Sequence, residues 1–325
     1  MRRREFIALL GAGAAAWPLV ARAQQAMPTI GFLSALDEAT VARHLVQFRR
    51  GLSEVGFVPG QNVTVEFRWA RGQYDRLPAM AAELVQRPVD VLVAQSPPAA
   101  LAAKAATSTI PTVFAVGPDP VELGLVASFN RPGGNATGTS LITGPLGQKR
   151  VEILRELAPR AKVLGMLVNP RSPDGPPEMR DVQKAAEANG LQLRIVNATT
   201  AAEIDAAFAS LAAQRPDALL VGSDPFLVTE NRRIIDHVAR ARLIAVYPFR
   251  EFTEAGGLLS YGTNIANTFR QVGIYAGRIL KGAKPADLPV LNPTVFELVV
   301  NLKAAQAQGI DVPPVLHARS DEVIE

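Results

Sequence analysis

The chain has 325 residues, of which 48% are hydrophobic and 20% charged, and it contains no cysteine. This length suits two lobes of roughly 100 to 150 residues each, and the lack of cysteine excludes disulfides, thiol catalysis and a lipid anchor on an N-terminal cysteine. Beyond the first two dozen positions no apolar run reaches the roughly 20 residues that a membrane-spanning helix needs, so we expect the body of the chain to be soluble.

The first 23 residues have the pattern of an export signal. Three arginines at 2–4 form a cationic start, an apolar and small-residue core follows at 6–20, and the sequence Ala-Arg-Ala at 21–23 fits a signal peptidase site. We therefore predict cleavage before Gln24 and a periplasmic product. The paired arginines followed by an aromatic and an aliphatic residue resemble a twin-arginine signal, and an ordinary secretory signal is the alternative.

The net charge of the chain depends on this segment. The full chain has 34 basic and 30 acidic residues and a net charge of +4, whereas removal of residues 1–23 leaves 30 basic and 29 acidic residues. A near-neutral protein without a long basic run lacks the electrostatic footprint of a nucleic-acid-binding protein. We therefore predict no nucleic-acid partner.

Hydrophobic periodicity in the first half predicts alternating strands and helices. The predicted helices lie at 40–55, 74–86 and 98–107, and the predicted strands at 29–33, 63–68, 89–94 and 112–116. Such a βαβαβαβ series predicts a parallel sheet with right-handed crossovers.

The stretch 110–141 combines a buried strand with a break rich in glycine and proline. Two prolines in the sequence 117–120 forbid a helix and leave Asp119 at the carboxyl end of a strand, where open α/β sheets bind ligands. Another apolar run at 137–142 leads to a helix predicted to begin near Leu146. We interpret the stretch as a ligand loop followed by a hinge.

The second half of the chain repeats the pattern of the first. The sequence Gln-Arg-Pro occurs at 86–88 and again at 214–216, each time between a helix and a buried strand. In the same order, the strand at 30–33 matches 164–167 and the strand at 112–116 matches 244–247. Chance explains three ordered matches poorly, so we predict an α/β fold of two similar Rossmann-like lobes, each a parallel sheet flanked by helices.

The tail is predicted to return to both lobes. A strand at 257–261 and a helix at 264–280 precede a proline-punctuated linker at 285–293 and a strand at 296–301. The chain then crosses between the lobes three times, which predicts a three-segment hinge. The predicted lobe one comprises 24–142 and 258–290, and the predicted lobe two comprises 143–257 and 291–325. The residues expected to absorb the hinge motion are Thr139, Gly144, Gly257 and Gly262.

Catalytic constellations are missing from the sequence. His44, His237 and His317 show no metal-ligand spacing and are interpreted as surface or capping residues. Ser223 lacks the second glycine of a nucleophile elbow, and no phosphate-binding loop is present. We therefore predict no catalytic residue, no metal and no cofactor.

Small and polar residues follow successive predicted strands in both lobes. Parallel strands end at one edge of a sheet, where helices that begin there offer free N–H groups to a carboxylate. Taken singly, each of these residues is as readily an N-cap or a turn former. Asp119 and Asp224 suit an ammonium group, and three aromatic residues suit an apolar wall. The predicted ligand-binding residues are Ser34, Gln95, Ser96, Gly117, Asp119, Asn169, Ser172, Ser223, Asp224, Phe226, Tyr247 and Tyr261.

Six segments of the chain carry a resemblance to a known family. They lie at 30–34 (IGFLS), 74–85, 99–138, 149–159, 251–264 (EFTEAGGLLSYGTN) and 272–290. Together they resemble the ABC transporter substrate-binding proteins of the tryptophan-binding type, a branch of the type 1 periplasmic binding proteins. The resemblance implies a ligand between the lobes, with its carboxylate on lobe-one loops around Ser34, Ser96 and Asp119 and its remainder against Asn169, Asp224 and Tyr247.

One departure from the family pattern bears on the ligand site. Two prolines follow Ser96 where a small-polar and glycine-rich loop is expected. Proline has no N–H group, so these residues remove amide donors from a backbone grip on a carboxylate.

The resulting hypothesis is an exported, monomeric protein that captures an amino acid or related small carboxylate by hinge closure. It would deliver this small-molecule ligand to the permease and ATPase of an ABC importer in the inner membrane. A binding protein for an exported sensor system is the alternative. A transcriptional regulator of the LacI type has the same two-lobed fold, but an export signal here occupies the place of its helix-turn-helix. An enzyme is the least favoured class.

Overall fold

The computed structural model describes residues 27–325 and contains two sheets, each flanked by helices. The predicted export signal at 1–23 lies outside the described residues. Between residues 27 and 325, no helix is both long enough and apolar enough to cross a membrane.

The first sheet contains five parallel strands in the order β2-β1-β3-β4-β5. They are β1 (Thr29–Ser34), β2 (Thr64–Trp69), β3 (Val91–Gln95), β4 (Thr112–Val116) and β5 (Ala136–Ser140). The central strands are covered by helices on both faces, which explains why their sequences are nearly continuous apolar runs. The connecting helices are α1 (Glu38–Glu54), α2 (Leu77–Val85) and α3 (Pro97–Ala106), and a short 3₁₀ turn at Tyr74–Arg76 precedes α2.

The second sheet contains seven strands in the order β12-β11-β10-β9-β8-β6-β7, and only the pair β10 and β11 is antiparallel. The strands are β6 (Val163–Val168), β7 (Gln192–Asn197), β8 (Ala218–Val221), β9 (Ile244–Tyr247), β10 (Leu259–Thr263), β11 (Phe296–Asn301) and β12 (Glu322–Ile324). The remaining helices are α4 (Thr143–Leu157), α5 (Gly175–Ala188), α6 (Ala201–Gln214), α7 (Pro225–Thr229), α8 (Asn231–Ala241), α9 (Arg250–Glu254), α10 (Ile265–Leu280), α11 (Leu302–Gln308) and α12 (Pro314–Arg319).

The repeat predicted from the sequence is visible in the sheet topology. The first sheet has the order 2-1-3-4-5, and the corresponding part of the second has the order 7-6-8-9-10, read from the opposite end. The three sequence matches fall on the equivalent pairs β1 and β6, β3 and β8, and β4 and β9. The fold is therefore the predicted pair of similar α/β lobes.

Helix α10 follows strands of the second sheet in the chain but packs against α1 of the first lobe. The two helices approach at Gly51 and Gly273 so closely that a Cβ atom at either position would collide with a backbone carbonyl oxygen of the other helix, that of Arg270 or of Phe48. The absence of a side chain at both positions is therefore what lets the helix backbones touch.

The chain passes between the lobes at three places that lie close together. The first follows β5 at residues 141–142, the second lies at Asn264 between β10 and α10, and the third lies at 291–295 before β11. Leu291 pairs with β5 beside Thr139, and the Thr263 Oγ1 donates a hydrogen bond to the Leu141 carbonyl oxygen at 2.7 Å.

The predicted lobe boundary at residue 258 needs correction. Strand β10 pairs with β9 and β11, so 259–263 belong to the second sheet and the crossing lies at Asn264. Gly262 accordingly sits inside β10, and Gly257 sits in the turn before this strand, away from any crossing. Gly144 lies in the first turn of α4, whereas Thr139 pairs with Leu291 of the third crossing segment. A strand's local pattern does not show which sheet it joins.

Candidate functional site

A cavity lies between the lobes where the carboxyl ends of the strands in the two sheets face each other. Its volume is about 60 Å³, several times the space that one water molecule requires. Its walls come from α1, the β3–α3 junction and the end of β4 in lobe one, from the loops before α5, α7 and α9 in lobe two, and from α10.

Most polar side chains of the cavity wall lie at the ends of the strands, and this part is called the polar half, although most of the lining surface is apolar. Lobe one contributes Gln95, Ser96 and Gly117, and lobe two contributes Thr143, Asp174, Ser223 and Asp224. Lysine and arginine are absent from this wall throughout the described part of the chain. The polar half therefore carries acidic groups without a facing cation.

Ser96 occupies an unusual backbone position at the start of α3. Its φ is +95°, a region that a non-glycine residue adopts at a cost of about 1–3 kcal/mol. The side chain is buried, and its Oγ has no hydrogen-bond partner within residues 27–325. Neighbouring Gln95 is held by Ser34, whose Oγ donates to Gln95 Oε1 at 2.6 Å. Ser34 thus positions a wall residue without lining the cavity itself.

Asp174 and Asp224 are both buried at the polar half of the cavity. Burial raises the pKa of Asp174 well above its usual value, and the charges of Asp224 and Glu178 raise it further. Burial also raises the pKa of Asp224, although hydrogen bonds from Tyr74, Leu227 and Asn169 oppose this effect. An ammonium group placed between these carboxyls would supply the positive charge that their surroundings lack.

A buried ion pair behind Ser223 supports this acidic wall. Arg150 and Glu178 are each 1% exposed, and Arg150 Nη1 lies 2.6 Å from Glu178 Oε1. Arg150 Nη2 also donates to Ser223 Oγ at 3.1 Å, and the Ser223 N–H donates to Glu178 Oε2 at 2.7 Å. Because Arg150 forms an ion pair with Glu178, its positive charge is already balanced by the Glu178 carboxylate behind the cavity wall.

The other half of the cavity is apolar. It is lined by side chains from α1, α7 and α10 and from the loop before α9, namely Leu36, Val41, Val228, Phe249, Ile265 and Phe269. His44 and Glu251 interrupt this surface, and the His44 Nε2 lies 2.6 Å from Glu251 Oε1. The ring of His44 lies 5.2 Å from that of Phe269.

Several polar contacts connect the lobes around the cavity. Arg43 of α1 pairs with Glu251 at 2.9 Å and also with Glu254. On the other side, the Tyr74 hydroxyl donates to the Asp224 carboxylate and accepts from the Phe226 N–H at 3.1 Å. These contacts require the lobes to be closed on each other.

Five of the twelve predicted ligand-binding residues line the cavity: Gln95, Ser96, Gly117, Ser223 and Asp224. Three others support or flank the wall. Asn169 Nδ2 donates to Asp224 Oδ1 at 3.2 Å, Ser172 Oγ donates to Asp174 Oδ2 at 3.3 Å, and Ser34 holds Gln95.

The other four predicted residues do not line this cavity. Asp119 is exposed, and its carboxylate accepts the Val121 N–H at 2.7 Å, which satisfies it within its own turn. Tyr247 is wholly buried in lobe two and stacks on Phe252 at 5.0 Å. Tyr261 packs against the core of the same lobe, and buried Phe226 packs on Gly72 of lobe one.

Sequence reasoning missed Asp174, Thr143, His44 and Glu251. Asp174 lies two residues beyond the polar loop predicted after β6, in a Pro-Asp-Gly turn that reads as an ordinary loop. His44 was interpreted as a surface or capping residue but is 3% exposed. Its burial could have been predicted from the sequence, because His44 lies on the same helix face as Val41, Leu45 and Phe48, where the helical pattern predicts an apolar residue.

Comparisons with known proteins agree with this architecture. A "Tyrosine-binding protein" of Clostridioides difficile (strain R20291) is 27% identical over 297 residues, which cover 90% of this chain and 85% of the relative. The crystal structure of an ABC domain from Streptococcus pneumoniae in complex with L-Trp superposes with a TM-score of 0.84 at 26% identity, covering 91% of this chain and 99% of that one.

A second solved structure bears on the arrangement of the lobes. The ligand-free, open structure of a substrate binding protein with adhesive properties from Clostridium difficile gives a TM-score of 0.67 at 25% identity, covering 92% of this chain and 99% of that one. The two structures are almost equally similar to this chain in sequence, at 26% and 25% identity, so the lower score agrees with lobes that are closed in the present structure. The sequence profile described as "ABC transporter substrate binding protein" matches residues 32–324, and the chain belongs to this family.

Proposed function

We propose that the protein binds an amino acid with an apolar, preferably aromatic, side chain between its lobes and delivers it to an ABC importer. The observation that carries this proposal is one cavity between the lobes whose mainly apolar lining includes two buried carboxyl groups, those of Asp174 and Asp224. A molecule that joins an ammonium group to an apolar side chain complements both halves.

The orientation of the ligand follows from this division. The ammonium group pairs with Asp174 and Asp224, and the side chain lies against Val41, Phe249 and Phe269. The carboxylate accepts from Ser96 Oγ, which has no partner within residues 27–325, and lies near the N-terminus of α3. Two prolines in the first turn of α3 leave this helix with fewer N–H donors, so Ser96 bears more of the carboxylate contact.

The relatives support an amino acid as the ligand class, since one is named for tyrosine and another was solved with L-Trp. Membership of the substrate-binding family supports a permease and ATPase as partners. The predicted export signal at 1–23 supports a periplasmic location. Transport then needs no chemistry from this chain, because the ligand stabilises the closed state through contacts with both lobes.

The proposal is tested by purifying the exported protein, denaturing it and identifying any released molecule by mass spectrometry, followed by calorimetric titration with the common amino acids. Asp174→Asn keeps the shape of the site but removes one carboxylate, and we expect the dissociation constant to rise about 10- to 100-fold. Asp119→Asn is the matched control, because this carboxylate is exposed outside the cavity. Binding of sugars alone, or equal effects of both variants, would contradict the proposal.

A further inference from the structure

The pair formed by His44 and Glu251 lies in the apolar half of the cavity, one residue from each lobe. Their side chains are 4% and 10% exposed. Within residues 27–325, the remaining polar atoms of the pair, His44 Nδ1 and Glu251 Oε2, are buried without a hydrogen-bond partner. Buried polar atoms are nearly always paired, so these two atoms call for an explanation.

The donors around Glu251 all reach the same oxygen. His44 Nε2 lies 2.6 Å from Oε1 and Arg43 Nη2 donates to Oε1 at 2.9 Å. Burial raises the pKa of Glu251, but the hydrogen bond from His44 and the charges of His44 and Arg43 outweigh it and lower the pKa to about 2. Glu251 is therefore ionised at neutral pH, and its Oε2 has acceptor capacity that these neighbours do not use.

A wholly apolar ligand side chain would leave Oε2 unpaired in a dry environment. A side chain with an N–H or O–H group at its far end would give this oxygen the donor that it lacks. Indole N–H and phenol O–H are such donors, and phenyl has none. Leu36, Val41, Phe249 and Phe269 line the same half of the cavity, so the ring and its donor group would share one wall.

We propose that Glu251 Oε2 accepts a hydrogen bond from the ring N–H or O–H group of the ligand and so selects tryptophan or tyrosine over phenylalanine. This inference rests on the proposed function and narrows its ligand class. The side chains named by the two relatives, tyrosine and L-Trp, both carry such a donor.

His44 is a positioning residue in this arrangement. Its contact with Glu251 joins α1 of lobe one to α9 of lobe two, so the acceptor is held in place only when the lobes are closed. Selection of the ligand side chain is thereby coupled to closure of the lobes, as in induced fit.

The test is isothermal titration of the wild-type protein with L-tryptophan, L-tyrosine, L-phenylalanine and 3-benzothienyl-L-alanine, which replaces the indole N–H by sulfur. We expect L-tryptophan or L-tyrosine to bind at least about tenfold more tightly than its analogue without a donor. Equal affinities would overturn the inference, and this comparison needs no variant. If none of the four compounds binds but another apolar amino acid does, the inference fails while the proposed function stands. If no amino acid binds, both fail.

A pair of variants assigns the preference to Glu251. Glu251→Gln removes the charge, and we expect the preference for a ring donor to shrink by at least about threefold. Glu254→Gln, three residues away on α9, also loses a contact to Arg43 but lies outside the cavity wall, and the preference should be unchanged. An undiminished preference in folded Glu251→Gln, as judged by its melting curve, would overturn the role of this residue.

Discussion

Asp119 and Asp174 show how differently two carboxyl groups in strand-end loops are used. The Asp119 carboxylate accepts the Val121 N–H within its own turn and remains exposed. Asp174 is buried beside Asp224 and Glu178, and its pKa is raised because burial and these neighbours disfavour a second and third negative charge. Only the second environment gains from an incoming ammonium group.

The raised pKa of Asp174 predicts how ligand affinity depends on pH. In the free protein this carboxyl takes up a proton at a higher pH than an ordinary aspartate, whereas an ammonium group favours its ionised form. Affinity for an amino acid should therefore be greatest at high pH and fall as the pH is lowered through the raised pKa. Titration between about pH 8 and about pH 5 measures this dependence, with proton release as a second readout.

Asp174→Asn is the control for this pH dependence. Its affinity should be lower than that of the wild type at high pH, approach the wild-type value at low pH and vary less with pH, because one of the titrating groups is gone. A wild-type affinity that rises as the pH falls would contradict the assignment of the ammonium group to this wall.

At the scale of single elements, the contact of α1 with α10 depends on two glycines. Alanine in a helix gains up to about 1 kcal/mol over glycine from intrinsic propensity. At Gly273 the added Cβ would meet the Phe48 carbonyl oxygen, and a backbone atom cannot move aside without separating the helices. The steric effect therefore outweighs the propensity gain.

We expect Gly273→Ala to lower the free energy of unfolding by about 1–3 kcal/mol, the usual cost of overpacking. Gly134→Ala is a suitable control, because a Cβ at Gly134 has no neighbour within 4 Å among the described residues. Denaturant unfolding of both variants measures the difference. A Gly273→Ala protein as stable as the wild type would show that the two helices can separate at little cost.

The strands and helices were largely predictable, because each is defined mainly by its own local sequence. Strand β4 and strand β11 have the predicted bounds, since a buried strand flanked by turn residues is defined by its own sequence. The assignment of β10 to lobe one failed because sheet membership depends on partners far along the chain, here β9 and β11. The prediction of two similar lobes succeeded because the repeat relates two distant segments of the chain directly.

The candidate site was predictable only in part. Residues in the first positions after a strand, such as Ser96 and Ser223, reach the cavity because the strand direction fixes their place. Residues on α1 and α9 depend on how the two lobes close, and no local pattern contains that information. Asp119 also follows a strand but does not line the cavity, and its carboxylate accepts a hydrogen bond within its own turn.

At the scale of the whole molecule, the closed arrangement rests on contacts at two sides of the cleft. Arg43 bonds to Glu251 and Glu254 at one side, and Tyr74 bonds to Asp224 at the other. The open and closed states of such proteins differ by only a few kcal/mol. Removing a contact that exists only in the closed state should therefore change the apparent affinity even when no ligand atom is lost.

Arg43→Ala tests this dependence. Arg43 is partly exposed, so each of its two ion pairs is worth at most about 1 kcal/mol, and we expect the dissociation constant to rise about two- to tenfold. Arg50→Ala is the control, because Arg50 pairs with Glu54 within the same helix. Small-angle scattering should show a larger radius of gyration for Arg43→Ala alone. A change confined to the control would contradict the role of the interlobe pair.

The path of α10 also constrains the order in which the protein is made. Lobe one needs this helix against α1, and it needs Val290, whose N–H donates to the Phe129 carbonyl oxygen at 2.7 Å. Both pieces are synthesised after strands β6 to β10 of the other lobe. The hydrophobic core of lobe one, which starts first along the chain, is thus completed late. A nascent chain that stops before residue 265 already contains ten of the twelve described strands, but its first lobe is unfinished.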